Sequence, residues 1–436
     1  MIKRCGIGFL ILFMVLTCLS VPPIFAAEGG AGDVRSNGGL VAGSRILRVT
    51  SLENSGAGTL RNALAACNKC VIVFDISGAI NLTNDLTIAR DQITIAGETA
   101  PSPGIVLYGG TLNIRASNVV IGNIAVYPGS SPILSIAEKR DGISIYGSPG
   151  KKRRLHDIIL RNVSVGWGVD ENIGIQGLVD NVLIERSIIA WPLRHGGHPK
   201  GVHSMNLLLA NTVGRIIIAG SLFAAAEQRS PRLTNGNRVT FINNLVAAPG
   251  AAATHLDTSE KIINPGAIDI IGNAYIPTPL SNCKRPAIAI NEKFLGSTPQ
   301  TLVYLEDNIV LDRLRPGCMA LIPPPGETAQ SMLTDFSDWS RIPASAVPDA
   351  IPARAGSHPV RRNPIDKRLL ADLSSGTLAI INSEADIGGF QEIKITHALA
   401  PVPDNLERIE TQADVEKIRL WLCARQREIG AGAECR

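Results

Sequence analysis

The sequence predicts an all-β chain folded as a parallel β-helix, a solenoid with a capping helix at its N-terminal end and a further helix near its C-terminus. Three observations lead there. First, short β-branched runs recur along the chain: ITIAG (93–97), VVIGN (119–123), IILRN (158–162), VLIER (182–186), IIIAG (216–220), VTFIN (239–243), IDIIG (268–272) and VYLED (303–307). Most carry apolar side chains at alternate positions, the period of a strand with one buried face. Second, the starts of these runs are 26, 39, 24, 34, 23, 29 and 35 residues apart. Further short strand-like segments lie between them (GIVLYG, DGISIYG, ENIGIQG, MNLLLA), and no amphipathic helix pattern does. A doubly wound α/β fold needs helices there, and a sandwich shows no such long period. Third, many runs end in Gly or Asn, which tolerate the left-handed backbone of a tight turn. Strand–turn–strand units of this length read as stacked coils that together bury one aliphatic core.

Composition agrees with an aliphatic core. Hydrophobic residues make up 45% of the 436-residue chain and aromatic ones only 4%. In GAGTLRNALAAC (56–67), Leu60, Ala63, Leu64 and Cys67 share one helical face, as expected of a cap on the first coil. The coil pattern fades after about residue 310, and 316–364 is Pro-rich and polar, a surface excursion. The segment 411–430 has a Thr start and a Gly end, and reads as an amphipathic helix packing back on the β-helix or covering its C-terminal end. The expected organisation is therefore a signal peptide (1–27), a β-helix domain (28–312) and a C-terminal extension packing on it (313–436).

The first residues carry Lys3 and Arg4, an apolar stretch from Gly6 to Leu19, and Ala26 and Ala27 before Glu28. This is a signal-peptide pattern, favoured over a membrane anchor. Thr17 makes Cys18 a poor lipidation site. Cleavage predicts a secreted or periplasmic protein free of the membrane; separately, a monomer is expected. It removes two of the 42 basic residues and none of the 38 acidic ones, so net charge falls from +4 to +2. That is too weak for a nucleic-acid partner. Cys67, Cys70, Cys283, Cys318, Cys423 and Cys435 remain, an even set that suggests disulfides in an exported chain. Local pairing (67–70, 283–318, 423–435) is expected among the fifteen possible connectivities. A zinc site at Cys67 and Cys70 lacks a second cysteine pair.

Polar residues cluster between 141 and 232. Asp141 opens DGISIYG, Asp170 and Glu171 lie in VGWGVDENIGI, His195, His198 and Lys200 in RHGGHPKGVH, and Arg229 and Arg232 in EQRSPRL. These segments, together with VTSLENSGAGTLRNAL, IVFDISGAI, ITIAGETAP, VTFINNLV and AIDIIGNAYIP, resemble the pectate lyase family in content and order over roughly residues 40–310. The resemblance implies a right-handed parallel β-helix and calcium-assisted β-elimination of α-1,4-linked polygalacturonate. It implies Asp141, Asp170 and Glu171 as Ca2+ ligands, which suits a hard cation. It implies Arg229 as the base and Lys200 as a contact to the substrate carboxylate, with Arg232 and His198 binding substrate. An arginine is almost always protonated, so a purely electrostatic role for Arg229 stays open. Thr234 stands where the family often carries a further arginine. Asp170 and Glu171 are adjacent, and strand alternation would send them to opposite faces, so one is expected to bind metal and the other to make a structural contact.

Other readings use the same residues. The three carboxylates could serve a glycoside hydrolase, but the Lys and Arg around them suit a carbanion better than a glycosyl cation. A metal-free lyase for esterified pectin would not need the carboxylates. A lyase for another uronate and a non-catalytic carbohydrate-binding solenoid remain alternatives, since a fold does not fix a function. His195 and His198 make a weak zinc pair. Trp167 is expected to pack beside the site, and Asn243 and Asn244 to belong to a turn ladder.

Overall fold

The computed structural model describes residues 34–148, 153–210, 214–258, 265–297, 300–321, 329, 331–334 and 339–431. The expected signal peptide (1–27) and Cys435 lie outside them. The chain winds through three sheets in turn: Cys70–Phe74 enters an eleven-stranded sheet, Ile76–Asn81 a ten-stranded sheet and Leu86–Ile88 an eight-stranded sheet, before Ile93–Ala96 returns to the first. Within the coils every pairing is parallel, whereas two short strands of the extension, Thr396–His397 and Arg408–Ile409, join antiparallel. This is the right-handed parallel β-helix.

The eight recurring runs all fall in the eleven-stranded sheet. The inward residues of this sheet stack in register, Ile72 of Cys70–Phe74 with Ile95, Ile121, Leu160, Ile184 and Ile218 of the recurring runs forming one fully buried column. Each such side chain contributes about 2 kcal/mol by leaving water. Seven of the runs end in a residue with φ between +47° and +63°: Asn123, Asn162, Arg186, Gly220, Asn243, Gly272 and Asp307. That repeated left-handed residue turns each coil from the first sheet to the second. One position on, side chains replace missing sheet bonds. Ser221 accepts the Ser187 N–H at 3.1 Å, Asn244 that of Ser221 at 2.9 Å, Asn273 that of Asn244 at 2.8 Å and Asn308 that of Asn273 at 3.1 Å. A buried polar column of this kind is tolerated because each member is satisfied.

The capping helix is Leu60–Ala66, started by Thr59, whose hydroxyl accepts the Asn62 N–H at 3.2 Å. Leu60, Ala63 and Leu64 enter the main core. The later helix, Gln412–Glu428, begins with a reciprocal cap between Thr411 and Asp414. Its Val415, Ile418 and Leu422 cover Ile46, Val71, Val73 and Ala96, so it lies on the flank of the first coils and leaves the C-terminal end of the solenoid to other residues. Ile342, Val347, Ile351, Ile365 and Leu369 of the extension pack over Ile188, Leu222 and Leu245, on the outer face of the ten-stranded sheet. Asp366 fixes that contact, accepting Tyr127 Oη–H at 2.7 Å and Ser164 Oγ–H at 2.6 Å. Cys67–Cys70 and Cys283–Cys318 are disulfides. Cys423 is also disulfide-bonded. Among the described residues no helix is long and apolar enough to cross a membrane.

Candidate active site

The polar cluster sits where the chain enters the eight-stranded sheet. Ile143 pairs with Ile173, Glu171 with Met205, and Met205 with Gln228. This register brings Asp141, Glu171 and Arg229 to the same end of successive coils. A buried chain locks the coils together there: Asn172 Nδ2 donates to Asn206 Oδ1 and Asn206 Nδ2 to Ser230 Oγ, each at 2.9 Å. Neither asparagine stands out in the sequence, because their significance lies in being stacked neighbours, which only the register reveals.

Asp141, Asp170 and Glu171 each present one carboxylate oxygen, all within 4.8 Å of one another. The expected split of Asp170 and Glu171 to opposite faces does not occur. The strand runs Glu171–Gly177, so Asp170 precedes it and alternation does not apply. Glu171 nevertheless also makes a structural contact, an ion pair with Arg229. Asp141 Oδ1 accepts the Glu171 N–H at 3.1 Å. Asp141 Oδ2 lies over Gly174, where a Cβ would come within 2.7 Å of it, so this glycine gives the carboxylate its room. Burial, then the charge of Asp170, pushes the Asp141 carboxyl well above the usual carboxylate range. Glu171 Oε2 is buried with no hydrogen-bond partner. Three converging carboxylates, one with an orphaned oxygen, fit a hard dication that would relieve both their repulsion and their desolvation.

Two histidines back Asp170. His203, the last residue of RHGGHPKGVH and not singled out as a site residue in the sequence, places Nε2 3.0 Å from Asp170 Oδ1. His198 stacks on His203 with ring centroids 3.9 Å apart, and its Nε2 is 3.6 Å from the same oxygen. His198 Nδ1 accepts the Lys200 N–H at 3.1 Å. In a neutral imidazole the proton then sits on Nε2, facing Asp170, which leaves no lone pair there for zinc. His198 was expected to contact substrate. Its side chain is only 1% exposed and is turned to Asp170. His195 is exposed, as is Lys200, on the turn above the histidine pair. Trp167 is buried against Tyr127 and Phe390.

Arg229 lies at φ +63°, just before the strand Arg232–Thr234. Burial, then the neighbouring charge of Arg232, pushes its guanidinium pKa down. Arg232 is held by Asp257 at 3.0 Å. Thr234 is fully buried and its hydroxyl accepts from Asn237 Nδ2 at 3.0 Å. His255, opposite Arg232 on the next strand, is pushed down to about 4 by burial and then by Arg232 and Arg229, and is neutral near pH 7.

No family model matches the chain. It is 26% identical over 385 residues to a probable pectate lyase C of Aspergillus flavus, spanning 86% of this chain and 84% of the other. It is 31% identical over 300 residues to a probable pectate lyase C of Emericella nidulans, 68% and 62% of the two chains. Among solved structures, the major cedar-pollen allergen Jun a 1 shares the fold, with TM-score 0.54 and 16% identity over 75% of this chain and 92% of that one. A chain with this coil order, this carboxylate–arginine cluster and these homologues is a pectate lyase-like polysaccharide lyase.

Proposed function

We propose that the protein is an exported, monomeric, calcium-dependent pectate lyase that cleaves α-1,4-linked polygalacturonate by β-elimination, releasing unsaturated oligogalacturonides. The observation that carries this reading is the convergence of Asp141, Asp170 and Glu171 beside Arg229. A base removes the proton on the carbon next to the uronate carboxylate. The electron pair moves through an enediolate and expels the glycosidic oxygen of the neighbouring carbon, leaving a double bond, and the departing oxygen takes up a proton. Asp141, Asp170 and Glu171 would hold Ca2+, which when bound lowers the charge of the substrate carboxylate and so acidifies that proton.

Arg229 is assigned to the side from which the proton leaves. Its lowered pKa is in the direction a base requires, and its cation, when kept, stabilises the enediolate. Arg232 and the exposed Lys200 supply positive charge to neighbouring uronates, and His198 and His203 orient Asp170. The disulfide-bonded cysteines and the apolar leader favour export. The test is ultraviolet absorbance of polygalacturonate incubated with the purified protein, with calcium and then with a chelator. A rise that the chelator stops supports the reading. An unchanged polymer and no rise under either condition refutes it.

A further inference from the structure

The extension reaches the corner that carries the carboxylates. Trp191 Nε1 donates to Ala379 O at 2.9 Å, Arg194 N to Ile381 O at 3.2 Å and His195 N to Asn382 O at 2.9 Å. These three bonds attach the loop that bears His198 and His203. A turn capped reciprocally by Ser383 and Asp386 then presents Glu384 to the other loop of the site, residues 129–141. Glu384 Oε1 accepts the N–H of Ser130. Gly129 makes room for it: at φ +73° a Cβ there would come within 2.8 Å of that oxygen. Glu384 also attracts the half-buried guanidinium of Arg140, which donates to the carbonyls of Gly109 and Ser130. Arg140 is the direct neighbour of Asp141, and its own carbonyl accepts the N–H of Val169 at 2.9 Å and of Asp170 at 3.3 Å.

We propose that Glu384 of the extension is a positioning residue for the carboxylate cluster, setting its calcium affinity by fixing the 129–141 loop through Ser130 and Arg140. The inference rests on the calcium-lyase reading above. It gives the segment beyond the last coil a part in the reaction although Glu384 itself touches neither metal nor substrate. Asp141, Asp170 and Glu171 must keep three like charges close together before the ion arrives, and a loose loop lets them move apart. Removing the carboxylate at 384 therefore raises the calcium requirement while leaving the reacting groups in place.

Full-length protein, Glu384→Ala and Glu384→Gln are titrated with calcium in two ways, by lyase rate on polygalacturonate and by calorimetry without substrate. The expected result for Glu384→Ala is a roughly three- to tenfold rise in the calcium needed for half-maximal rate, with a matching loss in calorimetric affinity. Its rate at saturating calcium stays near that of the parent. Glu384→Gln, which keeps an acceptor for Ser130, falls between the two. Equal calcium affinity in parent and Glu384→Ala, whether or not the melting temperature drops, overturns the proposal. A parent protein that shows calcium-independent lyase activity, or none and no calcium binding, overturns the reading beneath it and this proposal together.

Discussion

Arg229 is ion-paired with Glu171 from a position two coils further along the solenoid, so the group assigned to the substrate proton is tied to a member of the carboxylate cluster. The pair is asymmetric: the Glu171 side chain is 1% exposed and that of Arg229 20%. Removing the guanidinium therefore has two effects. Arg229→Ala should lower kcat/KM by about 10²- to 10³-fold, the scale for one lost charge-stabilising group. It should also cost about 3 kcal/mol in stability, because a buried carboxylate loses its partner. Arg229→Lys keeps a cation and should recover much of the stability but little of the rate, since an ammonium lacks the planar fork. Initial rates and urea unfolding of the three proteins check this. Undiminished turnover in the alanine variant would remove Arg229 from the mechanism.

Asp170 offers a cleaner probe of the metal, because it is held by His198 and His203 and lies outside the strand. Asp170→Asn keeps size and hydrogen bonding but removes one of three charges. Calcium affinity should fall tenfold or more by calorimetry, with a change in stability below about 1 kcal/mol. An unchanged calcium titration would move the ion to other residues.

The coil order, the eight recurring strands of the eleven-stranded sheet and the left-handed turns at runs that end in Asn or Gly were legible in the sequence, because each is a local consequence of β-branching and of Asn or Gly at a fixed place in the repeat, whereas the left-handed Arg186 and Asp307 carried no such mark. The polar residues of the candidate site could be picked out one by one, but not their assembly. Asp170 and Glu171 looked destined for opposite faces, since nothing local marks Glu171 as the first residue of its strand. His203 lies in a segment rich in polar residues, and its pairing with Asp170 depends on a contact 33 positions away. The link from Glu384 to Ser130 spans 254 positions and leaves no periodic trace.

The disulfide Cys283–Cys318 closes a loop with a sequence separation of 35. In the chain-entropy model such a loop stabilises the folded state by about 4 kcal/mol. It anchors the last coil, where the β-helix gives way to the extension. Cys283→Ser with Cys318→Ser should lower stability by roughly that amount and leave the rate at low temperature near normal, as both residues are far along the solenoid from Asp141. Cys67–Cys70, with a separation of 3, should matter much less. Denaturant unfolding of the two double variants tests the difference, and equal losses would contradict the loop-length account.

Two buried histidines predict how stability depends on pH. His358 is 2% exposed, and burial, then Arg361, Arg425 and Arg362, pushes its pKa down to about 4. Burial and the site arginines push His255 down to about 4 as well. Both imidazoles are ordinary in the unfolded chain, near 6.5. Between those values the unfolded state binds more protons than the folded one. Stability must therefore rise with pH through the window from about 4 to 6.5, and be lost as pH falls through it. For His358 alone the loss between pH 6.5 and 5 is roughly 1.5 kcal/mol, because one extra proton on the unfolded chain costs about 1.4 kcal/mol for each tenfold rise in proton concentration once the unfolded imidazole is fully protonated, and half that at pH 6.5. His255 is partly open to solvent and should add less. His358→Asn cannot titrate, so its unfolding free energy should fall by about 1.5 kcal/mol less than the parent's across that interval. Urea unfolding at pH 6.5 and 5 makes the comparison. Parallel pH profiles for parent and variant would mean that the His358 imidazole titrates alike in the folded and the unfolded chain, and would refute its depressed pKa.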